Sequence, residues 1–197
     1  MTRKVFFSFH YEPDIQRAHV VRNSWVTKKD REQAGFFDSS VFEAKKRTSD
    51  DAIATFLKAG LQGASVTCVL TGAQTAYREW VRYEILQSFK DGRGLINVAI
   101  HTISNLKGLK TTAGANPLSL LGGEVKGDTL HFKEHNGSKW VWTSRVKSMP
   151  LAGVAYDLGG RSNFTFDQLF PSFEWSSDGG YDNLGTWVED AAQAAGR

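Results

Sequence analysis

The spacing of apolar positions changes several times along this chain, and each change marks an element. Residues 4–9 (KVFFSF) are apolar and aromatic enough to predict a first strand. Asp14 stands where a helix cap would, ahead of Ile15, Ala18, Val20, Val21 and Trp25, which give a first helix its apolar side. A polar, basic stretch (27–31) follows, and a short second strand is expected within 35–43. Thr48 or Ser49 can cap a second helix in which Ile53, Phe56, Leu57 and Leu61 recur at helical spacing. The run Ser65-Val66-Thr67-Cys68-Val69-Leu70 reads as a buried third strand, with a third helix over 75–90 and a fourth strand over 94–100.

Beyond His101 the rhythm breaks. Residues 105–123 are rich in Gly, Lys, Thr and Asn and predict a long loop, with Asn116-Pro117-Leu118 turning into a short helical piece. Gly127-Asp128 and Asn136-Gly137 are turn signals around 129–132 and 139–143, a β-hairpin pattern. The tail carries Phe166, Phe170, Phe173 and Trp175, enough aromatic surface to dock on the body, and a last helix is expected over 183–195. Strands alternating with helices predict an α/β fold: a parallel sheet with helices on both faces, followed by a C-terminal hairpin and helix extension. The near-continuous apolar strands fit burial on both sides.

In the common doubly wound strand order 2-1-3-4-5, ligands enter the crevice outside the carboxyl ends of strands 1 and 3. The loops Ser8-Phe9-His10-Tyr11-Glu12 and Thr71-Gly72-Ala73-Gln74-Thr75 meet there, and helix 3 leaves the second of them. On that helix Trp80 and Glu84 are four apart and share a face, setting a carboxylate beside a flat ring. Most helical glutamates are solvated and paired with a nearby cation. The positions three and four away from Glu84 hold Trp80, Val81, Gln87 and Ser88, none of them cationic. The apolar line Tyr77, Val81, Ile85, Phe89 runs alongside, which puts Glu84 at the margin of the buried face. An acid there is either functional or a common accident of the burial boundary, and spacing leaves both open. A helix starting at Thr75 would hold Glu84 about 13 Å from its first residue, whereas a start near Arg78 suits the cleft better. His10 can either touch a ligand or cap its loop.

Several sharper chemistries are excluded. There is no GxxxxGK[ST] and no GxGxxG between strand 1 and helix 1. Phe9 and Leu70 stand at the strand ends where phosphoryl-acceptor chemistry would need aspartates. His131 and His135 lie on an expected strand, where four residues separate them by about 13 Å, too far for one metal ion.

The 197 residues fit one domain, or one domain with an appendage, and 41% apolar with 23% charged composition is that of a globular chain. No apolar stretch is long enough to span a bilayer and Met1-Thr2-Arg3-Lys4 lacks a signal-peptide core, so the expected address is the cytosol. Cys68, the one cysteine, excludes an internal disulfide and reads as a packed thiol. The net charge of +3 divides unevenly: 23 basic and 16 acidic residues through Ser172, then Glu174, Asp178, Asp182, Glu189 and Asp190 against Arg197. A basic body suits a phosphate-bearing ligand, but no Lys/Arg tract interleaved with aromatics argues for nucleic acid. Lys45, Lys46 and Arg47 can steer an anion or simply be solvated.

Three blocks carry a resemblance: Val5-Phe6-Phe7-Ser8-Phe9-His10-Tyr11, Val20-Val21-Arg22-Asn23-Ser24-Trp25-Val26, and residues 65–85 with their Trp80-x-x-x-Glu84 spacing. With Asn116-Pro117 and Leu121-Gly122, they resemble the bacterial TIR-like proteins, in particular the ThsB type of Thoeris anti-phage defence. The similarity runs over about residues 4–135. It implies a flavodoxin-like TIR domain over 1–135, with 136–197 as a C-terminal extension packed on the same domain. It also implies an enzyme acting on NAD as substrate, with no further cofactor or metal. The glutamate at the position of Glu84 would support cleavage of the nicotinamide–ribose bond. Ser8, Phe9, His10, Tyr11, Trp80 and Tyr83 are then the expected substrate-binding residues. The resemblance further implies a cyclic ADP-ribose-type product that diffuses to and activates a partner effector, a phage-derived trigger and a homo-oligomer, with neither nucleic acid nor membrane as partner. The chain departs from animal and plant TIR domains in lacking their proline-bearing loop after strand 2, and in having His10-Tyr11 where many carry arginine. The alternatives are a non-catalytic TIR-like interaction module and a nucleoside deoxyribosyltransferase-like enzyme that would ignore NAD.

Overall fold

The computed structural model describes residues 3–28, the backbone of 31–33, and 49–197. Strands β1 (Arg3–Phe9), β2 (Arg31–Gln33), β3 (Val66–Thr71), β4 (Gly94–Ala99) and β10 (Ser172–Glu174) form one sheet in the order β10-β4-β3-β1-β2. Every pair in it is parallel. This is the expected doubly wound order, with β10 from the tail as its fifth strand. The strand expected over 35–43 lies outside the described residues, and β2 at Arg31–Gln33 pairs with β1 just ahead of it.

Alternation along the strands sorts the sheet's two faces. Val5, Phe7, Val66, Cys68, Leu70, Ile96 and Val98 pack against Ala18, Val21 and Trp25 of α1 (Tyr11–Val26) and Leu184, Trp187 and Val188 of α4 (Gly180–Ala194). Cys68 is fully buried, and burial pushes its thiol far above the usual range. Val69 and Leu95 face the other way, toward α2 (Asp50–Leu61) and α3 (Glu79–Lys90). Ser49, not Thr48, caps α2, accepting a bond from the Ala52 amide at 3.1 Å. The acidic tail helix α4 is tied to the start of β1 by an Arg3–Glu189 pair at 2.6 Å.

Outside α3 lies a second, antiparallel sheet. It comprises β5 (Leu121–Lys126), β6 (Thr129–His135), β7 (Trp140–Trp142) and β9 (Asn163–Thr165), in the order β7-β6-β5-β9, with β8 (Met149–Pro150) paired to β6. The two turn signals each join a pair of its strands, at 127–128 and 136–139. The expected hairpin is therefore present and extended into a sheet, whose first strand begins within the last residues of the stretch read as loop. The inner face of this sheet meets α3 through an aromatic cluster. Phe89 lies 5.7 Å from Phe132, 4.7 Å from Tyr156, 4.7 Å from Phe166 and 6.0 Å from Phe170, ring centre to ring centre.

Two helix starts differ from expectation. α1 begins at Tyr11, with His10 in the extended cap position, and Asp14 does not cap it. The Asp14 side chain turns inward instead, onto the 71–75 loop. The third helix is split: a 3-10 turn at Thr75–Tyr77, an extended Arg78 (φ −84°, ψ 118°), then α3.

Candidate active site

The break at Arg78 places Glu84 five residues into α3, about 7.5 Å along its axis, at the level of the strand ends. α3 is buried on every side from Val81 to Phe89, because the second sheet covers the face that a two-layer fold would leave to water. Glu84 is therefore not at a margin, as periodicity implied. It is 4% exposed and lies on the side of α3 that faces the parallel sheet.

Ser8, next to last in β1 and 1% exposed, donates its hydroxyl to Glu84 Oε2. One turn further along α3, Ser88 exchanges a 2.8 Å bond with Thr67 of β3. Near the strand ends, Thr71 bonds Asn97 of β4. The first two pairs form a polar seam between α3 and the sheet within an otherwise apolar interface, and the third joins β3 to β4. Burial raises the Glu84 carboxyl to about 8, and the Ser8 bond opposes that rise. In the free protein near neutral pH the group is thus largely a neutral acid.

The loops around this pole are tied together by buried polar contacts. Thr75 Oγ1 accepts the Gly72 amide at 2.9 Å and donates to Asp14 Oδ2 at 3.3 Å. Arg17 lies 3.8 Å from Asp14 and donates to the carbonyls of Ile103 (2.9 Å) and Leu109 (3.0 Å). One buried pair thereby fastens α1, the β3 exit and the segment after β4. Gly72 is needed where it stands, since a Cβ there would come within 2.2 Å of Asp14 Oδ2. Gly114 is needed likewise, at 2.1 Å from the Gly72 carbonyl. Burial raises the Asp14 carboxyl, while Arg17 and Thr75 pull it back. Periodicity assigned Asp14 a capping role and gave no signal for Arg17, Asn97 or Gly114.

The residues expected at the site fall into two groups. Ser8 and Glu84 touch, and Phe9 and Tyr11 stack with centroids 6.1 Å apart and planes 26° apart. Between them His10 has a buried Nδ1 with no partner among the described residues, and desolvation lowers its imidazole, assisted by the positive charge of Arg78. His101, just past β4, has a second buried Nδ1 without a partner among the described residues, at the same end of the sheet. The other group is turned away. Trp80 packs on Tyr83 (5.9 Å, edge-on) and under Arg145, whose guanidinium carbon lies 5.1 Å from the ring centre. Tyr83 donates its hydroxyl to the Ala54 carbonyl of α2 at 3.4 Å. Arg145 also pairs with Glu79 at 2.8 Å, so this group holds the first turn of α3.

A buried acid at the exit of the first strand, flanked by stacked rings and unpartnered imidazole nitrogens, suits a ligand with a flat cationic or polar ring. Comparison with known proteins agrees with the fold. Residues 6–105 match the family described as "Thoeris protein ThsB, TIR-like domain". The chain is 37% identical over 191 residues to a protein of Bacillus cereus (strain MSX-D12) described as "Putative cyclic ADP-D-ribose synthase ThsB1", in a match spanning 95% of this chain and 100% of that relative.

Proposed function

The chain belongs to the TIR-like domain family of Thoeris protein ThsB, and on that premise we propose that it cleaves NAD at the nicotinamide–ribose bond. The remaining dinucleotide is closed into a cyclic ADP-ribose-type signal that activates a partner effector. The buried Ser8–Glu84 pair at the exit of β1 is the observation that carries this reading. In NAD the nicotinamide ring is already cationic and leaves as a neutral base, so its departure needs no general acid. The C–N bond breaks with its electron pair going to the ring nitrogen, and positive charge develops on the ribosyl carbon. A carboxylate at Glu84 stabilises that charge, in a dry setting where its field is strong. A nucleophilic atom of the same molecule then closes on the ribosyl carbon. Where that atom is a hydroxyl, its proton passes to Glu84.

The high affinity of Glu84 for its proton fits this chemistry. An ionised carboxylate would be costly in the empty site, whereas an arriving pyridinium cation favours the charged form. Substrate binding is thereby coupled to release of a proton. Phe9 and Tyr11 offer a shelf for a flat ring, and the His10 and His101 nitrogens offer partners for ribose or phosphate. Trp80 and Tyr83 contribute by fixing α3 against α2 and Arg145. In this reading the protein acts in the cytosol, a phage-derived component triggers it, and copies associate to complete the site. No helix among the described residues is long and apolar enough to cross a membrane.

The test is mass spectrometry of nucleotides from phage-infected cells carrying wild-type or Glu84→Gln protein. The expected result is a cyclised product with loss of nicotinamide in the wild type and none in the variant at equal protein level. Equal product from both would overturn the proposal.

A further inference from the structure

At the end of the parallel sheet opposite Ser8 and Glu84, a cleft of about 270 Å³ opens between α2 and the turn that joins α3 to β4. Thr55, Lys58, Ala59 and Gln62, at helical spacing, form one wall, and Asp91 and Arg93 form the other. Arg93 is 8% exposed and its guanidinium is fixed: Nη1 donates to the Ala64 carbonyl at 3.2 Å and Nη2 to Asp91 Oδ2 at 2.9 Å. Its backbone is held too, since the Tyr156 hydroxyl donates to the Arg93 carbonyl. Nε is left buried with no partner among the described residues. Such a donor costs stability for as long as it lacks an acceptor. Asp91 is already engaged, with Oδ2 on Arg93 and Oδ1 accepting from Gln87 at 2.7 Å. On the facing wall Lys58 is exposed and forms no ion pair among the described residues. Lys4, also without an ion pair there, reaches the rim, its Nζ 3.7 Å from where a Cβ on Gly63 would lie. Asp51, one turn before Thr55, is the further acid on this face of α2, while Asp50 is drawn to Arg145 at 3.8 Å. Lys4, Lys58 and Arg93 against Asp51 and Asp91 leave one positive charge in excess.

We propose that this cleft binds a small phosphate monoester that carries no aromatic ring. The groups left over are donors, the Arg93 Nε on one wall and the Lys58 ammonium on the other, and an oxyanion between them would satisfy both. A phosphate monoester carries close to two negative charges near neutral pH, which suits two ammoniums without partners better than a single carboxylate does. The cleft lies just below the range of about 300–1,000 Å³ usual for drug-sized ligands, so it takes a smaller molecule. No ring lines it, so a nucleobase or nicotinamide finds nothing to stack on, whereas Thr55 and Gln62 offer hydrogen bonds to hydroxyl groups. Ala64 and Arg93 stand just before β3 and β4, and Ser8 stands near the exit of β1, so the two sites lie at opposite ends of a parallel sheet. The cleft therefore stands apart from the proposed chemistry, although its Asp91 ends the same helix that carries Glu84.

Isothermal titration calorimetry of the full-length protein with glucose 6-phosphate as probe tests the proposal, with glucose and succinate as comparisons. The wild type binds the probe at one saturable site, binds succinate more weakly and does not bind glucose. Lys58→Glu, at an exposed position, weakens binding by roughly tenfold or more. Ala59→Trp fills the cleft without changing its charge and weakens binding as much. Arg93→Lys keeps a cation for Asp91 but removes Nε, and weakens binding too. Glu84→Gln leaves binding unchanged and excess NAD does not displace the probe, which separates the cleft from the proposed active site. Circular dichroism confirms that each variant is folded; should Arg93→Lys not fold, the two variants at exposed positions decide. Absence of saturable binding, or glucose or succinate bound as tightly, overturns the proposal. Wild-type affinity in both Lys58→Glu and Ala59→Trp, or displacement by NAD, overturns it as well.

Discussion

The parallel sheet is covered on both faces and its strands are near-continuous apolar runs, whereas the antiparallel sheet buries one face and β7 alternates Trp140, Val141, Trp142. The same kind of residue therefore means different things in the two layers. A lysine on the open sheet can reach water, as the half-exposed Lys126 does. A carboxyl beneath the closed sheet has no such escape, and Glu84 rises to about 8. A polar group in the closed layer costs stability unless something compensates it, and this is why Glu84 is informative where a surface glutamate would not be.

The aromatic seam between the layers gives the sharpest way to break that contrast. Phe89→Ala removes a fully buried ring at the centre of five others and is expected to cost about 3–5 kcal/mol in denaturant unfolding. A cost below about 1 kcal/mol would mean the sheets are not packed on α3 as described.

Glu84→Gln should act in the opposite direction. Because the folded carboxyl binds its proton more tightly than the unfolded one, the favourable contribution is complete below the usual carboxylate range and is lost as pH rises through about 8. Gln keeps the neutral shape without the titration. The variant should match the wild type near pH 5 and exceed it by up to about 4 kcal/mol near pH 9, by thermal unfolding at both. A constant difference between the two would remove the buried acid from the account. Ser8→Ala should raise the Glu84 carboxyl further, moving the rising limb of kcat/KM about one pH unit upward with product identity unchanged. The smallest effect belongs to the open layer. Trp142→Ala should change stability by less than about 1 kcal/mol, since the ring is half exposed.

Much of the closed layer was legible because its signals are local. The runs 4–9 and 65–70, the helical recurrence of Ile53, Leu57 and Leu61, and the meeting of two loops at the β1 and β3 exits all follow from spacing. What spacing cannot carry is the covering of one layer by another. The second sheet is built from residues 121–165, far along the chain, and it is this sheet that buries α3 all round and turns Glu84 from a margin residue into a core one. Asp14 is the same lesson in miniature. Its position suits a cap, but a long-range bond from Thr75 and the room left by Gly72 draw it inward. Trp80 shares a helical face with Glu84 by spacing, yet Arg145, from a segment with no periodic signal, takes its ring.

The central claim is that the closed layer holds Glu84 as a neutral acid, which a cationic substrate ionises. Carbon-13 NMR of the glutamate side-chain carboxyls, with Glu84 assigned by its loss in Glu84→Gln, measures this directly. The account predicts a midpoint at about 8 in the free protein, moving down when NAD is added. A Glu84 carboxyl that titrates with the ordinary surface glutamates and ignores NAD would contradict it.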